Sequence, residues 1–413
     1  MSAGPQSTIE LLAQRLLYRW VPKWYEAFHD TETHLFHERV GHAFRPVETG
    51  RIRLLTQCRQ ISVYAHAHKL GAFHGDIARH VEALVACFHV ADTGGWRFSV
   101  DCDLKPHETF YDLYAQGFVI FAMAHVGDEA ARQLAINTAR FIDKNMRAAQ
   151  GFHESLDAHM APRNERRRHE SHMHLLEACL FAADRWDEGI FRSLADDIVR
   201  LFFSHFYRDG VLSEYFSADL QPVANENGQI VVEPGHYGEW IWLLKKHASL
   251  MGEPDRYDQT CRDLLAFANK YGWDDIYNGI YDELNPEGGI VADTKRIWPF
   301  CELLKANALM IDAAGVDRNE IKAVIHRMVK VFRASYIQER GFWSEWLARD
   351  LTPMTDYMPG TTPYHVYFGI METRSVLQAR GPSRSWRIWA QTQWFRSRRA
   401  VSNGVRAVRY RFK

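Results

Sequence analysis

Apolar residues recur at helical spacing through most of the chain. In IELLAQRLLYRWVPKWYEAF (9–28), DIARHVEALVACFHVA (76–91) and NEIKAVIHRMVKVFRASY (319–336) they fall at i, i+3, i+4 and i+7. That is the stripe of an amphipathic helix. The same reading predicts about twelve helices, near 7–28, 52–70, 76–91, 108–126, 128–147, 169–184, 187–205, 236–251, 256–271, 295–313, 317–335 and 362–379. A short motif interrupts them at intervals of 56 to 69 residues: GFHE from Gly151, GVLSE from Gly210, GIYDE from Gly279 and GFWSE from Gly341, with a looser GGWRFS whose register glycine is Gly95. These stretches read as loops or small hairpins with glycine at a tight turn. Helix, short turn, helix, long loop, six times over, is a stack of helical hairpins. An open stack needs polar caps at both ends. The expectation is instead a closed, all-α (α/α)6 barrel, a toroid of six helical hairpins with short β-hairpin loops.

The two helices of each hairpin differ. One kind carries a charged face and should lie outside. The other is aromatic and holds polar residues out of place in a core: RLLTQCRQISVYAHA from Arg53, HESHMHLLEACLFAA from His169, HYGEWIWLL from His236, RIWPFCELLKANALM from Arg296 and TPYHVYFGI from Thr362. These should form the inner ring. Arg59, Gln116, His174, His236, Glu302 and His365 recur with the repeat, 57 to 66 residues apart. Six polar side chains from six inner helices would meet in one aromatic-walled cavity, the usual form of a small-molecule site. His236 and Glu239 share a helix face, so the carboxylate should fix the imidazole tautomer and raise its pKa. His174 and Glu177 repeat that spacing. His365 lies in the first turn of its helix, where the dipole lowers a histidine pKa and favours a base.

Composition adds exclusions. The 50 basic and 51 acidic residues nearly cancel, but residues 380–413 carry ten basic and no acidic side chains. The body is therefore acidic (1–380) and the tail basic (381–413). The tail reads as an appendage, docked on the body or left disordered, and a nucleic-acid partner is disfavoured. Six scattered cysteines form no CxxC pair, which argues against a zinc ribbon or disulfide framework. No signal peptide or apolar membrane span is legible, so a cytoplasmic location is expected. His169 and His172 lack a third ligand at metal spacing, and HES is not HExxH. No metal site is expected, and no GxxxxGK[ST] loop is present.

The five inner-helix motifs, in this order and spacing, resemble the N-acylglucosamine 2-epimerase superfamily over residues 10–380. RxWPxxExLKA around Arg296 and the PYHV form at the last helix are most similar to its mannose isomerase branch. The resemblance implies an (α/α)6 barrel and a sugar isomerase. It makes His236 and His365 the catalytic histidines, Arg59 the cation and Glu239 the partner of His236. His174, Glu177, Trp298 and Glu302 would line the sugar site, with Gln116 and Tyr111 as further contacts. A small-molecule sugar is the implied partner, and the resemblance admits a homodimer. Proton transfer through an enediolate needs neither a redox cofactor nor a metal. The nearest alternative is a 2-epimerase on an N-acylglucosamine or a glucose-type saccharide. A glycoside hydrolase would need a carboxylate pair. Glu154, Glu214, Glu283 and Glu345 recur on the loops, but read better as bonding loop amides. A non-catalytic binding toroid ranks last.

Overall fold

The structure is a computed structural model that describes residues 5–379; residues 380–413, and with them the basic tail, lie outside it. The chain opens with Pro5–Arg15 (α1), a π-helical turn at Leu16–Trp20 and Val21–Phe28 (α2), running end to end as one helix. After it come Leu54–Lys69 (α3), Ile77–Phe88 (α4), Leu113–Val126 (α5), Glu129–Asn145 (α6), His169–Trp186 (α7), Gly189–Leu201 (α8), Pro234–Leu250 (α9), Asp258–Tyr271 (α10), Ile297–Met310 (α11), Arg318–Val331 (α12) and Pro363–Ala379 (α13).

The hydrophobic pattern explains which helix goes where. The even-numbered helices α4 to α12, and the α1–α2 run, bury one face each. They form the outer ring. In α4 the buried residues are His80, Leu84 and Phe88, one stripe at helical spacing. The odd-numbered helices from α3 to α11 are buried almost all round; in α11 every residue from Ile297 to Met310 is buried. They pack side by side as α3, α5, α7, α9, α11 and α13, and α13 returns to α3 to close the ring. Small residues let the inner backbones approach. A Cβ at Gly238 of α9 would meet the Glu302 carbonyl carbon of α11 at 2.9 Å, and one at Gly369 of α13 would meet Cys301 Cβ at 2.8 Å. The expected toroid is the observed fold.

The turns from inner to outer helix are short, and aspartates start several outer helices: Asp76, Asp128 and Asp317 accept backbone N–H bonds from Arg79, Ala131 and Glu320, satisfying orphan donors. The connections from outer to inner helix are long and carry the small strands. All the inner N-termini therefore face one end of the barrel. The recurring glycines sit at left-handed turns, φ 65° at Gly151 and 84° at Gly341. In the looser copy that residue is Gly94 (φ 77°) rather than Gly95, a one-residue correction.

A second loop repeat escaped the sequence reading. Phe44, Leu104, Met160, Leu220 and Leu351 all have positive φ, 55° to 69°. Each is followed two residues on by a proline (46, 106, 162, 222, 353) that bridges back to Val40, Val100, Leu156, Phe216 or Leu347. A bulky residue is strained in this conformation. Five copies at one position mark a shared tight turn. The first and last long loops are joined directly, because Arg39–Gly41 pairs antiparallel with Tyr357–Pro359. Among the described residues no helix is long and apolar enough to cross a membrane.

Candidate active site

The inner helices bring Arg59, His174, His236, Glu239, Trp298, Glu302 and His365 together near their N-terminal ends. All are buried, from 1% exposed at Glu302 to 8% at Trp298. The indole of Trp298 lies between the two histidines, with ring centroids 5.0 Å from His236 and 5.6 Å from His365.

Both histidines use Nδ1 on a carboxylate and leave Nε2 as the remaining nitrogen. His365 Nδ1 is 2.8 Å from Glu302 Oε1. His236 Nδ1 is 2.9 Å from Glu214 Oε2. This corrects the expected His236–Glu239 pair: they share a helix face, but the imidazole turns to a loop glutamate. Glu239 Oε1 instead lies 3.9 Å from both His174 Nε2 and His365 Nδ1. Its Oε2 is buried with no hydrogen-bond partner. Burial and the neighbouring Glu302 hold the Glu239 carboxyl well above the usual range.

The surroundings push the two imidazoles in opposite directions. Burial opposes a charge on His236, but Glu214, Glu233 and Glu170 outweigh it and push its pKa up to about 10. Burial lowers His365 to about 4; Arg59 and Lys305 add to that, against the Glu302 bond. The direction for His365 matches the sequence expectation, with burial and nearby cations as the cause.

Arg59 is 5% exposed. It donates to the Tyr114 hydroxyl at 2.5 Å and to the Thr361 carbonyl at 3.4 Å. The Phe118 and Tyr364 rings lie 4.5 and 4.8 Å from its guanidinium carbon. Among the described residues no carboxylate forms an ion pair with it, so its charge is available to an anion. His174 packs on Tyr114 at 4.6 Å and shares Glu177 Oε2 with the Tyr364 hydroxyl. Burial, then Arg59, holds His174 far below the ordinary value.

Two expected contacts lie elsewhere. Gln116 is fully buried and clamps the backbone of Trp96, accepting from its N–H at 3.1 Å and donating to its carbonyl at 2.6 Å. Gln57 does the same to Phe36 one repeat earlier, and His172 Nε2 accepts from the Phe152 N–H one repeat later. The true repeat mate of Arg59 and His174 is Phe118, two residues beyond Gln116. Tyr111 bonds Thr93 at 3.0 Å and packs on Phe141; Tyr114 is the tyrosine at the site. Sequence reasoning also missed Lys305, whose Nζ lies 2.6 Å from Glu302 Oε2. The ELLKA motif placed that lysine one turn after a site glutamate, which was the available signal.

The loop glutamates divide. Glu154 does bond a loop amide, as expected, accepting from Arg168 N–H at 3.0 Å. Glu214 does so too, from Glu233 N–H at 3.0 Å, but it also holds His236. Glu214 with His169 and His236, and Glu239 with Glu302 and His365, are spaced closely enough to be read as metal donors. Within these sets Glu214 also faces both imidazoles and Glu302 faces His365 and Lys305.

The profile of the N-acylglucosamine 2-epimerase family matches residues 36–369. A mannose-6-phosphate isomerase of Rhizobium meliloti is 29% identical over 381 residues, covering 87% of this chain and 94% of its own. A D-mannose isomerase of Thermobifida fusca is 27% identical over 67% of this chain and 72% of its own. Among solved structures, a D-mannose isomerase superposes with TM-score 0.80 at 17% identity, over 90% of this chain and 98% of that one; at that identity the likeness shows the shared fold. The chain is an enzyme of the isomerase class, and it belongs to the N-acylglucosamine 2-epimerase family.

Proposed function

We propose that the chain is an aldose–ketose isomerase acting on a free aldose of the mannose type. The geometry that carries this reading is the unequal setting of the two histidines: the glutamate on His365 is paired with Lys305, and among the described residues the glutamate on His236 has no lysine or arginine paired with it. An imidazolium at His236 is an acid, suited to opening the pyranose ring and to bonding substrate oxygen. A neutral imidazole at His365 is a base whose Nε2 is its remaining nitrogen. One base is enough for isomerisation. It takes the C2 proton, which exchanges with solvent while on the ring, and delivers a proton to C1, while a hydroxyl proton passes from O2 to O1, so a mannose becomes a fructose of the same composition. Inverting C2 needs the second histidine to surrender a proton to carbon, and the nearby Glu214 and Glu170 carboxylates oppose that.

The intermediate is an enediolate. Its negative charge falls to Arg59, a buried cation without a carboxylate partner, in a site where preorganised charge acts strongly. Glu239, a buried carboxyl with one unpartnered oxygen, can bond a sugar hydroxyl. Trp298 offers an apolar face to the ring carbons. The names of the relatives support sugar isomerisation. Arg168, Arg296 and Lys305 are matched to Glu170, Asp282 and Glu302, and this favours a neutral sugar over a sugar phosphate.

The test is a panel of mannose, mannose 6-phosphate, N-acetylglucosamine and cellobiose in deuterated water, with products identified by NMR. Fructose labelled at C1 from mannose is the expected result. An aldose epimer labelled at C2, or turnover of the phosphate alone, would replace this reading.

A further inference from the structure

We infer that Glu214 is a positioning residue for this reaction: by taking His236 into a carboxylate cap that elsewhere in the barrel binds a hydroxyl, it orients the imidazole and keeps it the acid of the pair. The inference rests on the isomerase reading for its chemistry, and on the repeat for its geometry.

The same cap occurs three times. Glu38 accepts from Arg53 N–H at 2.7 Å and from the Thr56 hydroxyl at 2.8 Å. Glu154 accepts from Arg168 N–H at 3.0 Å and from the Ser171 hydroxyl at 2.6 Å. Glu214 accepts from Glu233 N–H and from His236 Nδ1. In every case one oxygen takes the amide before the inner helix and the other takes a side chain three residues on. Thr56 and Ser171 are neutral, so there the side-chain bond fastens a loop to a helix, and Glu38 pairs with the Arg53 guanidinium as well. At His236 the same bond acts on a titratable ring.

The surroundings make the bond decisive. From α7, His169 Nδ1 accepts from the Trp240 indole N–H at 3.1 Å, which leaves its proton on Nε2, 3.1 Å from Glu214 Oε2. Glu170 faces His236 from the same helix, with His174 one turn further on. Glu233 precedes it, and Glu239 follows on its own helix. The cation facing this group from α11, Arg296, is committed to Asp282 at 2.8 Å and Glu233 at 3.3 Å. Glu214 is thus the direct acceptor for His236, and among the described residues no lysine or arginine pairs with it. Burial and the two histidines set its state, and it stays an anion.

A glutamine at 214 cannot serve both donors. With its oxygen on the Glu233 amide, its NH2 faces Nδ1 and demands a neutral ring; flipped, its NH2 faces a backbone N–H. The experiment compares Glu214→Gln, Glu214→Asp and the sister-cap control Glu154→Gln. It records the pH dependence of kcat/KM and the imidazole NMR titration of His236 in the full chain. In Glu214→Gln the basic limb and the His236 titration should move down together by about one to three pH units, the usual effect of one close opposite charge. The value of kcat should fall on the order of tenfold or more, with a smaller change in KM. Glu214→Asp should restore part of both. Glu154→Gln should lower Tm and leave both curves in place. If Glu214→Gln lowers Tm but leaves the His236 titration at its wild-type position, Glu214 is only a loop fastener and the inference is wrong. If no hexose turns over in the wild type, the isomerase reading fails, and the NMR titration still decides whether Glu214 holds the proton.

Discussion

His236 and His365 make the same bond and end in opposite states. Each ring gives Nδ1 to a buried glutamate at hydrogen-bond distance. The difference lies one layer further out. Glu302, the partner of His365, is neutralised by Lys305 at 2.6 Å. Glu214, the partner of His236, meets two imidazoles and a backbone N–H, and among the described residues no lysine or arginine pairs with it. A carboxylate that already owns a cation cannot hold a second one nearby; a carboxylate without a cation makes one. A histidine–glutamate pair therefore has no fixed meaning, and the third group decides whether it is an acid or a base.

The comparison can be broken at several points. Removing either ring is the harshest: His365→Gln or His236→Gln should lower kcat on the order of 10³-fold or more, in the range general acid–base groups supply. Deuterium exchange at C2 should vanish with His365. If exchange persists there, the base has been assigned to the wrong histidine. Next comes Lys305→Met, which should turn His365 into a second His236. Its pKa rises, and each pH unit by which it passes the working pH removes about tenfold of the neutral base. The variant also leaves Glu302 buried without its cation, a change that costs about 3–5 kcal/mol of stability; thermal unfolding measures it.

The wild-type pH profile sharpens the contrast without a mutation. His365 is the base when neutral, so activity is lost as pH falls through about 4. His236 is the acid when charged, so activity is lost as pH rises through about 10. The expected kcat/KM curve is broad and flat between them. A narrow bell centred near 7 would contradict the split. Tyr114→Phe is milder. It removes the 2.5 Å bond to Arg59, and a hydrogen bond to a charged group is worth about 1.5–3 kcal/mol. That predicts roughly a tenfold or larger loss in kcat with the pH limbs unmoved. The smallest effect on rate belongs to Gln116→Ala. It should leave kcat within about twofold and reduce stability by about 1–3 kcal/mol, because the Trp96 amide and carbonyl lose their buried partner.

Much of this was legible in the sequence, because periodicity reports burial directly. All twelve helical segments stand close to their expected places. The inner and outer rings were separable because a helix buried all round shows no polar stripe. Arg59, His174, His236, Glu239, Trp298, Glu302 and His365 do meet. What failed were statements about which side chain touches which. Spacing put Glu239 beside His236 on one helix, but it could not see a loop 22 residues upstream returning to the same imidazole. The repeat phase was too coarse to separate Gln116 from Phe118, since both are inner-helix residues within one turn. Lys305 and Tyr364 were missed because a buried lysine and a core tyrosine look ordinary until their partners are in place.

The pairing of Arg39–Gly41 with Tyr357–Pro359 has a consequence for how the enzyme is made. A ribosome delivers the chain from one end, but the pocket is assembled from both. Arg59 emerges early. Its aromatic neighbour Tyr364 and the proposed base His365 emerge some 300 residues later. Until they do, the first loop presents an unpaired strand edge and α3 lacks one flank, surfaces that invite association with other chains. A nascent chain cut short before residue 357 would have neither a closed ring nor a complete site. Catalytic competence and closure thus arrive in the same step, and truncated products of this gene should be both inactive and prone to aggregate.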